Sequence, residues 1–191
     1  MRYLYIVLVA WMVSPTCIAA NIIELDGQSD DLALGQYVDS VRLTRDNLGL
    51  ADQVRAANFV AGEHNELNFG YTQKRVWLRL ELSNSSNDDI ERVLNIRYPL
   101  LDTVKLYKST SQTPLFTLGR VYADKNDQAI NIPASYYIMP ILVPANSTET
   151  FYLSVESDDS IAMPLYLTSQ TSLVRQAFHY SVNLSFYFGL V

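Results

Sequence analysis

Residues 75–84, RVWLRLELSN, set apolar Val76, Leu78, Leu80 and Leu82 in alternation with Trp77, Arg79, Glu81 and Ser83. A period of two puts the aliphatic residues on one face of an extended strand and the tryptophan and arginine on the other. A strand with one wholly aliphatic face needs a second layer against it, so the segment predicts a packed sheet. The opposite face poses a chemical question, because Trp77 and Arg79 suit either a binding surface or the closing of a sandwich edge.

The rest of the chain repeats the extended pattern. Asn21 to Leu25, Val76 to Ser83, Glu91 to Tyr98, Thr103 to Tyr107, Pro114 to Leu118, Ala134 to Leu142, Thr148 to Glu156 and Ala162 to Thr168 alternate or are rich in β-branched and aromatic residues. NSSNDD, YPLLD, STSQ, ADKND, PANST and SDDS punctuate them as turns. Tyr37, Val38 and Val41 suggest another short extended piece, and NLGLADQVRAANF is the one good helical stretch. Strands roughly ten residues apart predict an all-β antiparallel sandwich in one domain, and the 13 tyrosines suit its half-buried pleated surfaces.

Both ends differ from this middle. Arg2, an apolar run from Leu4 to Val13 and small residues up to Ala20 have the layout of a signal peptide over residues 1–20. An uncleaved anchor helix is the alternative. The single cysteine, Cys17, falls inside this segment, so the processed domain, residues 21–170, would hold no disulfide and rely on its core. After His179 the chain turns apolar and aromatic. Residues 171–191 are expected to be a linker and the start of a first transmembrane helix, with a last packed strand or helix as the alternative. The net charge of −6, without a basic stripe, argues against a nucleic-acid partner.

The order of several segments resembles a known family. LGQYVDSVRLTRDNLGLADQV, NFGYTQKRVWLRLELSN, RVLNIRYPLLDTVKLY, the Gly119–Arg120 pair, YYIMPILVPANSTETFYLSVES, MPLYLTS and FYFGLV carry it, from Asn21 to Val191. The chain is similar to the type 2 extracellular domain of bacterial seven-transmembrane receptors with diverse intracellular signalling modules. The resemblance implies a jelly-roll sandwich like that of carbohydrate-binding modules. It would lie in the periplasm, attached to the inner membrane ahead of a helix bundle and a kinase or cyclase output, and it favours a homodimer.

The candidate ligand-binding residues are Trp77, Arg79, Arg97, Tyr98, Arg120, Tyr122, Tyr136 and Tyr137. Aromatic rings stack on the C–H faces of sugars, and guanidinium groups fork their hydrogen bonds to hydroxyls or carboxylates. Asn95 and Arg97 would share one face of their strand, with Leu94 and Ile96 on the other. Each of these residues also has a packing reading, and Asn84 reads as the side chain that closes the turn after its strand.

No catalytic residues, metal site or cofactor are expected. His64 stands alone in a polar stretch, and no nucleophile elbow, zinc-protease or phosphate-loop pattern occurs. DGQSDD and ADKNDQ carry the oxygen ligands calcium prefers, but without EF-hand spacing. The expected function is a non-enzymatic, periplasmic sensor for a small molecule or glycan, coupled to the membrane through the C-terminal segment. A free-standing carbohydrate-binding or adhesion domain is the alternative.

Overall fold

The computed structural model describes residues 21–25, 31–45, 52–122, 137–173 and 175. The signal-peptide segment, the apolar C-terminal stretch after residue 175, Tyr136, ADKNDQ and all but the last residue of DGQSDD lie outside them.

The alternating segment forms the ten-residue strand β6 (Arg75–Asn84) at the centre of the larger sheet. The chain reaches it through β1 (Ile22–Glu24), β2 (Asp31–Ala33), β3 (Asp39–Leu43), the short helix α1 (Asp52–Arg55), β4 (Val60–Ala61) and β5 (Leu67–Tyr71). After it come β7 (Ile90–Ile96), β8 (Thr103–Lys108), β9 (Phe116–Leu118), β10 (Tyr137–Val143), β11 (Ser147–Glu156), β12 (Ser160–Met163) and β13 (Leu165–Thr168). One edge of β6 pairs along its length with antiparallel β11; the other is shared by β3 and by β1, whose pairing is parallel. The full order is β4-β3-β6-β11-β8-β9, with β1 beside β6.

A second sheet, β10-β7-β13-β2, is antiparallel throughout, and β12 and β5 form a separate pair. The core lies between the two main sheets. Val76, Leu78, Leu80 and Leu82 of β6, Phe151, Leu153 and Val155 of β11, and Val104 and Leu106 of β8 meet Leu94 and Ile96 of β7, Met139 and Ile141 of β10, and Leu165 and Leu167 of β13. All of these are buried. The architecture is therefore the expected all-β sandwich, built almost wholly from antiparallel strands.

Two local features explain how the strands end. The run from Ala162 to Thr168, which sequence alone presents as one strand, is divided at Pro164. Proline has no N–H for a ladder, so β12 before it pairs with β5 while β13 after it pairs with β7 and β2. Pro140 is accommodated because β10 lies at a sheet edge. At the other feature, Gly119 adopts φ +128°, and a Cβ there would stand 2.2 Å from the Asp102 carbonyl oxygen. The turn after β9 can thus press against the β7–β8 loop only with glycine at this position. Gly119→Ala is expected to lower stability by about 1–3 kcal/mol or more, through strain and the displaced loop, as read from urea unfolding.

Candidate functional site

The candidate residues fall on three separate surfaces. Trp77 and Arg79 project from the outer face of the large sheet, and Arg97 is directed to the outer face of the small sheet. Arg120 and Tyr137 meet at one rim of the sandwich. Two sheets packed by their inner faces turn their outer faces in opposite directions, so Arg79 and Arg97 do not line one groove.

On the large sheet, α1 folds over the outer face and places Val54 against Trp77, Tyr107 and Tyr152. Trp77 is 1% exposed, its ring 5.6 Å from that of Tyr107. Arg55 holds the helix down by donating to Asp52 and to the Ser109 carbonyl. Phe59 extends the cover: its ring centre is 6.0 Å from that of Tyr152 and 5.0 Å beneath the Arg79 guanidinium. Arg79 donates through Nε and Nη2 to Asp39, which is buried beside it in the register of β3. Burial pushes the Tyr152 hydroxyl above its ordinary pKa, against the opposing pull of Arg79 and Arg55. This face is a second, smaller core with an ion pair at its margin.

At the rim, Arg120 opens a short 3-10 turn, Arg120–Tyr122, immediately after Gly119. Its Nε and Nη2 lie 2.9 and 2.6 Å from Asp102 Oδ1, and Nη2 lies 2.9 Å from Asp159 Oδ2. The backbone N–H of Asp158 donates to the other Asp102 oxygen at 2.7 Å, and Arg45 reaches Asp158 at 2.6 Å. Tyr137 sets its hydroxyl 2.7 and 2.9 Å from the carbonyls of Pro99 and Leu101, while Tyr98 packs half-buried against the main core. The rim therefore ties the β7–β8 loop, the β11–β12 turn and the end of β9 together. Tyr122 belongs to the same turn.

On the small sheet, Asn95 and Arg97 share the outer face as expected. The Arg97 guanidinium lies 3.7 Å from the Tyr166 ring centre, and its Nη2 lies 2.6 and 2.7 Å from the two Asp31 oxygens. Thr168 donates to the same carboxylate at 2.9 Å. Beneath them Asn95 is 0% exposed, and neither its Nδ2 nor its Oδ1 has a hydrogen-bond partner. Asp31, Thr168 and Tyr166 were not singled out by sequence because they belong to remote strands that only register brings beside Arg97. The β13 strand leads, after Ser169, into a helical turn at residues 170–173. Gln170 binds Glu91 at 2.6 Å, and Ser172 and Leu173 are buried.

Among the described residues no cluster of His, Cys, Asp and Glu could hold a metal ion, and no helix is long and apolar enough to cross a membrane.

The two packed sheets, the covered large-sheet face and the ionic rim define a β-sandwich domain. More particularly, residues 35–169 match the family model for the 7TMR-DISM extracellular 2 domain, and the chain belongs to that family. No curated protein matches it. Among solved structures it is similar to the native family 35 carbohydrate binding module from Clostridium thermocellum, at 9% identity and a TM-score of 0.32, covering 74% of this chain and 99% of that one. It is also similar to a family 35 module from an environmental isolate, at 12% identity and a TM-score of 0.28, covering 68% and 82%. Neither likeness bears on the ligand.

The geometry gives two expectations. Trp77→Ala empties the small core under α1 and is expected to cost about 3–5 kcal/mol, measured by chemical denaturation. For Asp102, burial raises the pKa, but the Asp158 N–H and the bonds and charge of Arg120 outweigh it and hold the carboxyl below its usual range. A folded pKa below the unfolded one gives stability that is fully present above the unfolded value and is lost as pH falls through the folded value. The stability gap between the wild type and Asp102→Asn should therefore be full at pH 7 and narrow below about pH 4, as followed by urea midpoints.

Proposed function

We propose that this extracellular domain is the ligand-sensing end of a membrane receptor, exported to the bacterial periplasm and coupled to the inner membrane through the segment that follows β13. It carries out no catalysis, and the ligand is a small molecule or glycan. The family match over residues 35–169 is the observation that carries this reading.

The arrangement of the small sheet supports a route for the signal. Thr168 bonds Asp31 on the outer face, and Ser169 alone separates it from the helical turn clamped to Glu91 by Gln170. A displacement of β13 would therefore be passed to the following segment with little slack. Ligand can shift such an equilibrium only by its difference in affinity for the two arrangements; about 1.4 kcal/mol of preference changes their ratio tenfold. Dimerisation of the receptor would let two sandwiches act on one bundle.

A Gly/Ser spacer inserted after Ser169 in the membrane-embedded receptor is expected to abolish the ligand response of the output while leaving ligand affinity unchanged. Binding assays on membranes, alongside measurement of output, test this. A spacer variant that still responds normally would overturn coupling through this connection.

A further inference from the structure

Strand β10 lies at an edge of the small sheet, and both of its faces are apolar. Met139, Ile141 and Val143 enter the core, so Ile138, Pro140 and Leu142 stand on the outer face. A strand with one face in the core ordinarily alternates apolar with polar residues; YIMPILV, residues 137–143, does not. Pro140 and Leu142 are exposed, Leu142 at 46%, and Ile138 is half-buried. Isolated apolar residues on a surface are ordinary, whereas a row of them along one strand marks a place of contact.

Charge and backbone chemistry narrow what can sit there. The chain carries a net charge of −6, yet no charged residue stands between Asp127 and Glu149. Beside the stripe, the register partners on β7 are Asn95, Val93 and Glu91. The first two are buried and uncharged, and Gln170 engages the Glu91 carboxylate at 2.6 Å. Two copies of an acidic chain repel one another, and they do so least across a surface to which neither brings a free charge. Proline also restricts the geometry. Adding a strand along an edge needs an unbroken row of backbone N–H and C=O groups, and a proline on the edge opposes it. A second copy at β10 must then pack side chain against side chain.

We propose that the outer face of β10 is a contact between two copies of this chain. A two-fold axis near Pro140 sets Ile138 of one copy over Leu142 of the other, twice, so that the stripe complements itself. Three side chains from each copy fall well below the roughly 800 Å² per partner of a standard interface. The contact is therefore weak in dilute solution and fills where chains are held close together, as on a membrane surface. It stands apart from the sensing reading, which enters only in its consequence. Leu142 is in register with Glu91, the residue that clamps the helical turn through Gln170, so a dimer formed here brings two such clamps together.

The test follows the full chain by sedimentation velocity from micromolar to millimolar concentration, where a reversible equilibrium of monomer and dimer is expected. Leu142→Glu sets a carboxylate against Ile138 of the other copy and is expected to weaken dimerisation about tenfold or more. Its melting temperature should hold, because the side chain is already 46% exposed. Leu115→Glu changes a leucine that is 49% exposed just before β9, away from the stripe, and should leave dimerisation unaltered. If Leu142→Glu does not fold, Leu142→Ser should weaken the dimer by a smaller factor. A chain that stays monomeric up to millimolar concentration overturns the contact. Dimerisation that persists in the folded Leu142 variant, or that Leu115→Glu weakens equally, overturns this face as its seat. None of these outcomes bears on the sensing reading, which stands or falls by the spacer after Ser169.

Discussion

The structure depends on β6 being enclosed from every side. Both of its edges are paired, its even-numbered residues face the second sheet, and its odd-numbered Trp77 lies under α1. Side chains of a strand change face at every residue, so a slip by one position would send Arg79 and Glu81 into the core and Leu78 and Leu80 outward. That penalty fixes the register of β6, and β3, β11 and β1 take theirs from it. Through β11 the order reaches β8 and β9, and Gly119 then brings the chain back against the β7–β8 loop.

Long strands were legible from sequence because their alternation is local. The segments called at Val76, Glu91, Thr103 and Thr148 correspond to β6, β7, β8 and β11 within a residue or two. The short strands β2, β4 and β5 were not, since two to five residues carry too little periodicity and each gains its strand character from a remote partner. Pro164 was visible in the run it divides, but periodicity could not say that its two sides join different sheets. The same limit applies to function. Alternation gave Trp77 its face without revealing the helix that covers it, and it showed Arg79, Arg97 and Arg120 without Asp39, Asp31 and Asp102. Asn95 could be put beside Arg97; that its amide lacks partners emerges only once β10 and β13 flank it.

The two outer faces of the sandwich have consequently become different materials. That of the large sheet is aromatic and aliphatic, and the helix and Phe59 take its surface out of water. That of the small sheet is mixed: Val93, Ile138, Pro140 and Tyr166 stand beside the compensated Arg97–Asp31 pair and the carboxamide of Asn95. The rim between them is held by guanidinium–carboxylate bonds, joined by the Asp158 N–H on Asp102. Arginine suits this role because its planar fork engages two acceptors in fixed directions. The family match over residues 35–169 covers these regions except for β2 and its Asp31.

The distance along the chain between β6 and its longest partner has a kinetic meaning. Val76 pairs with Val155, and no strand made earlier occupies that edge of β6. During synthesis the central strand of the larger sheet must therefore wait, half-paired, until nearly the whole sandwich has been made. Non-local pairing of this kind folds slowly and leaves an adhesive edge available to other chains in the interval. A polypeptide of this topology is therefore best served by a holding chaperone until β11 arrives, and the risk of aggregation belongs to its nascent state rather than to the finished sandwich.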